Sequence, residues 1–303
     1  MKALVIGFGS IGARHARILE ELGCQVAVVS RRDVEFLFVY PTLNAALDSE
    51  SPDIIVVANE TSAHVEMLKL AATLGFKGTM LIEKPVFSQM HALPPLPFNS
   101  TYIAYNLRFH PVIQRLKALL SMEKVFSVQA YVGQYLPEWR PSIDYRKSYS
   151  ANIALGGGAL RDISHELDFI SWLLGGWNQV AAIGGHYSPL EIDSDDVFSL
   201  MLDTPQCPVV SLQMNYLDRV GRRFLLVNTL NHTIEADLVK GTVTVDKECE
   251  HFDVERDFTY REMHKAVLES NNVTLCSLNE GLNVMRLIEA SEEASKSKKW
   301  IKR

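Results

Sequence analysis

The chain has 303 residues, 47% hydrophobic and 22% charged, which is enough apolar material for two globular domains. A net charge of −6 argues against nucleic acid as a partner, and no apolar run approaches the ~20 residues of a membrane span. Met1-Lys2 leads straight into a strand pattern with no secretory signal, and Cys24, Cys207, Cys249 and Cys276 form no C-x-x-C pair. A metal site or disulfide framework is therefore not expected, and the sequence reads as a soluble cytoplasmic protein without a membrane partner.

The apolar run at 3–6 predicts a strand, and glycines follow at Gly7, Gly9 and Gly12, in G-x-G-x-x-G spacing. A helical pattern runs on from Ile11 to about residue 22. In this context Gly7 permits a tight turn, Gly9 lets the backbone approach a pyrophosphate, and Gly12 lets the helix pack on the strand. The helix N-terminus, with Ser10 and Ile11, then offers N–H groups and partial positive charge to phosphates. The alternative is a strand–helix turn that binds nothing. The second strand, 25–30, ends in Ser30-Arg31-Arg32, with the first acid at Asp33. A carboxylate at this strand end holds the ribose of NAD, whereas a hydroxyl and two guanidinium groups suit a 2′-phosphate, so NADP is preferred over NAD. The alternative is that both arginines are solvated loop charges.

Residues 53–58 predict a strand buried on both faces. It ends at Asn59-Glu60-Thr61-Ser62, a candidate cofactor contact, with a helix cap by Thr61 or Ser62 as the alternative, and a helix follows at 63–74. Residues 79–82 form the next strand and run into Glu83-Lys84-Pro85, a charged pair at a strand end with functional and surface readings both open. Pro94, Pro95 and Pro97 exclude a regular helix before the last strand of the domain at 102–105.

A helix at 111–122 begins on Pro111, and 125–135 alternates as a long strand. The loop at 136–152 mixes Trp139, Arg140, Tyr145, Arg146, Ser148 and Tyr149, which fits recognition of a polar, ring-shaped ligand or a loop packed on its own aromatics. Gly156–Gly158 introduces a helix at 159–174 with Leu160, Ile163, Leu167, Ile170 and Leu174 on one stripe. Asp162 and His165, three apart, are neighbours on another face and make either an acid–base pair or a surface pair. Strands at 179–187, 196–202, 209–216, 223–230 and 233–245 predict an antiparallel sheet, and helices at 260–270 and 278–297 close the chain, with a solvated, charged run at 292–303.

Together, Gly7–Gly12, Glu83-Lys84-Pro85, Tyr105-Asn106-Leu107-Arg108, the glycine run with Asp162 and His165, and Asn279-Glu280-Gly281-Leu282 resemble the Gfo/Idh/MocA family of oxidoreductases. The resemblance implies an α/β chain. Residues 1–105 are expected to form a Rossmann dinucleotide-binding domain and 106–303 a substrate-binding α/β domain with a large open antiparallel sheet. It implies hydride transfer between NAD(P) and a hydroxyl or ketone carbon of a sugar, cyclitol or sugar derivative, by a homodimer or homotetramer joined through that sheet. Carried onto this sequence, it makes Lys84, Asp162 and His165 catalytic. His165 takes the hydroxyl proton, Lys84 steadies the oxygen, and Asp162 orients His165. The cofactor contacts would be Gly7, Gly9, Ser10, Ile11, Gly12, Ser30, Arg31, Arg32, Asn59, Glu60, Glu83 and Lys84. Arg108, Tyr145, Arg146 and Tyr149 are the candidate substrate contacts, with Arg146 the anchor for an anionic group. Three features depart from the family pattern: the Asp162–His165 spacing is three rather than four, the segments after Arg32 and Pro85 are too short for the usual helices, and Ser30 stands where NAD enzymes carry an acid. The loop at 144–149 resembles members found beside genes for unusual bacterial surface sugars. A non-catalytic nucleotide-binding regulator and an enzyme that uses bound NAD transiently in sugar elimination or hydrolysis are the rival readings.

Overall fold

A computed structural model describes residues 1–141 and 143–303; Ser142, within the loop expected at 136–152, lies outside the described residues. The chain opens with strand β1 (Lys2–Ile6), helix α1 (Ser10–Glu21) and strand β2 (Gln25–Val29). Strand β3 (Val39–Tyr40) and helix α2 (Leu43–Glu50) follow. This short helix occupies a segment expected to be too short for one, and Thr42 caps it by accepting the Ala45 N–H at 3.2 Å. Strand β4 (Ile54–Val57), helix α3 (His64–Thr73), strand β5 (Thr79–Ile82) and strand β6 (Ser100–Ile103) complete this stretch, and no helix forms between Pro85 and β6.

These strands order as β6-β5-β4-β1-β2-β3, all parallel. Leu4, Val5, Ile55 and Val56 are fully buried, as an apolar run covered on both faces requires. Helix α1 buries Ile18 and Leu19, each worth roughly 1.5–3 kcal/mol relative to exposure. Strand order reverses beside β1, between β2 and β4, which places a crevice at the carboxyl ends of β1 and β4.

The second sheet begins after helix α4 (Pro111–Leu120) with strand β7 (Val125–Gly133). Helices α5 (Leu136–Trp139), α6 (Ala159–Asp162) and α7 (His165–Leu174) intervene, with three short 3-10 turns between α5 and α6. Strands β8 (Gln179–Gly185), β9 (Val197–Asp203), β10 (Val209–Asn215), β11 (Arg222–Thr229), β12 (Thr233–Asp237), β13 (Thr242–Val245) and β14 (Glu248–His251) follow. The single strand expected at 233–245 is thus a hairpin, turned at Gly241 with φ +67°. The sheet is mixed rather than purely antiparallel. β10 runs parallel to β7, with Val210 beside Val128, because helices α5 to α7 carry the chain away between β7 and the β8–β10 meander. On its inner face Val128, Leu225 and Val227 meet Leu116 and Leu120 of α4 and Ile170 and Leu173 of α7. On its outer face Gln129, Ser199, Met201 and Gln213 are exposed.

Helix α8 (Phe258–Leu268), strand β15 (Cys276–Ser277), helix α9 (Leu278–Ser297) and strand β16 (Ile301–Lys302) end the chain. β15 pairs with β6 and β16 with β8, so residues 301–302 form an edge strand where a solvated helix end was expected. Two compact units result, Met1–Asn106 with Asp257–Leu282, and Leu107–Arg256 with Asn283–Arg303. A single division at 105/106 does not describe them, because α8 and β15 join the first unit. Among the described residues no helix is long and apolar enough to cross a membrane, and no group of acidic, His and Cys side chains is arranged to hold a metal ion.

Candidate active site

In the first unit the glycine loop lies at the end of β1. Gly7 takes φ +92°, and a Cβ there would stand 2.8 Å from the Ala58 and Asn59 backbone, so the turn closes directly on the end of β4. A Cβ on Gly12 would collide with the Gly7 carbonyl. Gly9 is different: it has ordinary φ, −81°, and a Cβ on it would meet nothing within 4 Å. The protein's own packing does not require glycine there, whereas a ligand approaching the backbone would. Helix α1 starts at Ser10 with no side-chain cap and no acid in its first turn, leaving its opening N–H groups and dipole for an anion. Beyond β4, the buried Asn59 Oδ1 has no hydrogen-bond partner among the described residues, an acceptor left for a donor from a ligand. Glu60 is exposed. Thr61 and Ser62 lie in a 3-10 turn and do not cap α3, which overturns the capping alternative. After β2, Ser30 Oγ donates to the Arg32 carbonyl at 2.9 Å and accepts the Arg32 N–H at 3.1 Å, a closed turn that presents Arg31 and Arg32 to solvent. These residues fit the phosphates and ribose of a dinucleotide.

Glu83, expected among the cofactor contacts, is instead taken up inside the unit. It is 7% exposed, Oε1 lies 2.9 Å from Nε2 of His15, and Oε2 accepts the Lys84 N–H at 3.0 Å. Burial pushes its carboxyl up, but His15 and Lys84 outweigh burial and hold it below the usual carboxylate range. His15 Nδ1 lies 2.7 Å from Nε2 of His264 on α8, and burial together with the His15 charge holds His264 well below the ordinary imidazole value. Tyr260 meets the His15 ring edge-on at 5.5 Å. The half-buried Lys84 thus has its peptide fixed from behind by a buried chain of three side chains, and the Lys84–Pro85 bond is cis. His15 was missed in the sequence reading. Its signal was its place on the buried face of α1, with Ala16, Ile18 and Leu19.

In the second unit the helix expected at 159–174 breaks at Ile163 and Ser164, whose ψ values are 27° and 0°. Asp162 ends one helix and His165 begins the next, so the argument that they are neighbours on one helix face does not hold. Asp162 is 3% exposed and accepts hydrogen bonds from Tyr149 Oη, Ser150 Oγ at 2.7 Å and Tyr216 Oη at 3.1 Å. Burial and the Asp162 charge push the Tyr216 hydroxyl well above its ordinary value, so it stays a donor. The glycine run builds this cage. Gly157 packs on the carbonyls of Tyr149 and Ser150, and Gly158, at φ +114°, leaves room for the Asp195 carboxylate. Asp195 accepts the Leu160 N–H at 2.9 Å, and burial pushes its own pKa up to about 6. His165 is half-buried at the first position of α7.

The other substrate candidates separate sharply. Arg108 is 2% exposed, makes a two-pronged pair with Asp168 at 2.7 and 2.9 Å, and lies over Trp172. Burial removes it from substrate contact, a correction to the sequence reading. Tyr145 Oη accepts the Glu191 N–H at 3.4 Å. Arg146 is held by Asp144 at 2.9 and 3.0 Å and by Glu191 at 3.3 Å.

Residues 1–93 match the family described as "Oxidoreductase family, NAD-binding Rossmann fold", and residues 113–243 match "GFO/IDH/MocA C-terminal domain". No curated protein matches the chain. Among solved structures, levoglucosan dehydrogenase in complex with NADH and L-sorbose superposes with a TM-score of 0.86 at 14% identity, covering 100% of this chain and 98% of that one. GenD2 from gentamicin A biosynthesis in complex with NAD gives 0.80 at 18% identity, covering 100% and 96%. The WlbA dehydrogenase from Chromobacterium violaceum, in complex with NADH and UDP-GlcNAcA, gives 0.81 at 14% identity, covering 100% and 96%. At such identities the likeness establishes the fold, and the two family matches together span most of the sequence. The open backbone at Gly9 and the Glu83-backed Lys84 therefore belong to a member of the Gfo/Idh/MocA family of NAD-binding oxidoreductases.

Proposed function

We propose that the chain transfers hydride between a nicotinamide dinucleotide and a hydroxyl- or ketone-bearing carbon of a sugar, cyclitol or sugar derivative. The observation that carries this reading is the full-length likeness to structures whose ligands are NADH or NAD and, in two of them, L-sorbose or UDP-GlcNAcA. Gly7, Gly9, Ser10, Ile11 and Gly12 would hold the pyrophosphate, Asn59 and Glu60 would face the nicotinamide ribose, and Ser30, Arg31 and Arg32 the adenosine ribose. β2 ends without a carboxylate, and a phosphate is the natural partner of two exposed guanidinium groups, so we assign a preference for NADP(H).

When bound, the nicotinamide supplies or accepts the hydride. His165 takes the proton of the substrate hydroxyl and returns it in the reductive direction. Lys84, its backbone fixed through Glu83, offers a cation to the oxygen as negative charge develops. Asp162, held by three hydroxyl donors, orders the segment from which His165 begins α7. The exposed outer face of the second sheet, which carries Met201 and Ile183, is the surface through which a homodimer or homotetramer would form.

The test is nicotinamide absorbance with purified protein, NADP(H) or NAD(H), and a panel of sugars, cyclitols and sugar acids in both directions. General acid–base help is worth ~10²–10⁴-fold, so His165→Ala should lose turnover by that range and keep its cofactor affinity. Cofactor binding without turnover of any panel member in either direction would overturn the reading.

A further inference from the structure

One short segment holds the groups that surround Asp162. Residues 193–196 lie between β8 and β9 and bond back to the chain that precedes His165. The Asp193 carboxylate accepts the Ile153 N–H at 2.7 Å, and the Asp193 N–H donates to the Ala151 carbonyl at 3.1 Å. Ser194, 1% exposed, donates its hydroxyl to the Ser150 carbonyl at 2.7 Å. The Asp196 carbonyl accepts the Tyr216 N–H at 2.9 Å. Ser150 and Tyr216 are two of the hydroxyl donors to Asp162, so Ser194 and Asp196 each fix the main chain of one of them.

Asp195, between these two, acts on helix α6 instead. That helix is a single turn of four residues, with the Asp162 N–H on the Gly158 carbonyl at 2.9 Å. A lone turn fixes several residues for one hydrogen bond and does not hold itself in place. Asp195 supplies the missing partners. Its main-chain carbonyl accepts the Ala159 N–H and its carboxylate accepts the Leu160 N–H, both at 2.9 Å. These are N–H groups at a helix start that find no acceptor within the helix. Gly158 makes the approach possible, because a Cβ there would stand 2.2 Å from Asp195 Oδ1. The Arg161 side chain, in the same turn, pairs with Glu292 at 2.7 Å. The turn that Asp195 anchors ends at Asp162, and His165 opens α7 three residues later.

We propose that Asp195 is a positioning residue for His165: by holding the two N–H groups that open α6, it sets where that turn ends and where α7 begins. The assignment rests on the role given to His165 above and adds the residue that sets its place.

The test has two readouts, turnover and the NMR signal of the His165 ring. A misplacement of about 1 Å can cost ~10²-fold in rate, so Asp195→Ala should lower kcat by ~10- to 100-fold and leave KM and NADPH affinity unchanged. Asp195→Asn keeps an oxygen for the Leu160 N–H and should stay within ~3-fold of the parent. In protein labelled at its histidine rings, the His165 resonance is assigned by its loss in His165→Gln. It should move in Asp195→Ala and stay near the parent position in Asp195→Asn, while the resonance of the exposed His232, assigned through His232→Gln, moves in neither. Asp195→Ser, whose oxygen stands one bond further back, takes the place of Asp195→Ala if that variant fails to fold by circular dichroism. An unmoved His165 resonance in Asp195→Ala, an equal shift in Asp195→Asn, or an unchanged kcat in Asp195→Ala would overturn the proposal. If the parent turns over no sugar, the dehydrogenase reading fails and the resonance alone decides: a shift in Asp195→Ala that is absent in Asp195→Asn keeps the assignment. Sugar turnover that Asp195→Ala leaves intact does the reverse.

Discussion

Nε2 of His15 lies 2.9 Å from Oε1 of Glu83, both side chains buried, and the same carboxylate accepts the Lys84 N–H through its other oxygen. Helix α1 is thereby tied to the backbone of Lys84, the two parts to which we assign the phosphates and the reacting oxygen. Removing one partner of a buried pair strands the other charge, at a cost of about 3–5 kcal/mol. His15→Leu should therefore lose stability on that scale in urea unfolding, while His15→Leu with Glu83→Leu loses less than the single variant. Equal losses in the single and double variants would show that the two side chains are not coupled.

Gly9 and Gly12 belong to one motif but should respond oppositely to a methyl group. A Cβ at position 9 meets nothing within 4 Å, and the residue has ordinary φ. Gly9→Ala should leave stability within about 0.5 kcal/mol of the parent and weaken cofactor binding, because only the ligand comes that close. At position 12 the added carbon strikes the Gly7 carbonyl, so Gly12→Ala should destabilise the fold itself. Thermal unfolding and fluorescence titration with NADPH separate the two, and unchanged affinity in Gly9→Ala would count against phosphate binding at this loop.

Signals confined to a dozen residues were legible in the sequence. The strand, glycine turn and helix from Lys2 to Glu21 are local, and so are the apolar runs of β4 and β5. What escaped was set by partners distant in the chain. Arg108 reads as functional because its neutralising Asp168 stands 60 residues later. The break before His165 goes with an Asp162 carboxylate gripped by Tyr149 and by Tyr216, 13 and 54 residues away. The parallel alignment of β10 with β7 depends on the chain returning to β7 only after β8 and β9, and two-residue strands such as Val39–Tyr40 are too short for periodicity to register. Of the candidate site, the glycine loop and Lys84 follow from motif and order. The paired state of Arg146 follows only from which side chains surround it.

Arg108 gives a direct test of structural against substrate roles. Its pair with Asp168 is buried on both sides, and its guanidinium lies 5.2 Å from the Trp172 ring centre. Arg108→Leu leaves Asp168 without its guanidinium in the interior and should cost about 3–5 kcal/mol in stability. The folded fraction, assayed at low temperature, should keep the KM of the parent enzyme. A KM raised ~10-fold or more with normal unfolding behaviour would return Arg108 to the substrate site.

Acid should destabilise the second unit through His110. Burial, and then the Arg223 charge, pull its folded pKa down to about 4, against 6.5 for the free side chain. Below pH 6.5 the unfolded chain binds a proton that the folded chain refuses, so stability present at pH 7 is lost as the pH falls from 6.5 towards 4. By pH 5 the loss from this group is about 2 kcal/mol. His110→Asn keeps an acceptor for the Val112 N–H and removes the titration. Urea unfolding at pH 7.5 and pH 5 should show a smaller difference between the two pH values in that variant than in the parent, and an unchanged difference would assign the acid sensitivity elsewhere.

The NADP(H) preference we propose turns on the end of β2. Ser30 closes its turn through both a donated and an accepted hydrogen bond to Arg32, which fixes the backbone and leaves the two guanidinium groups outside. A 2′-phosphate brought to this turn meets two cations, whereas the bare diol of NAD meets no carboxylate until Asp33. Hydrogen bonds to charged groups are worth about 1.5–3 kcal/mol, so loss of one arginine should cost NADPH about 10- to 100-fold in affinity and NADH little. Arg31→Ala and Arg32→Ala, titrated with both reduced cofactors at low and high salt, test this. The preference should also shrink as salt rises, since both groups are exposed. Parent protein that binds NADH as tightly as NADPH, with neither variant altering the ratio, would make Arg31 and Arg32 solvated loop charges and leave the enzyme NAD-dependent.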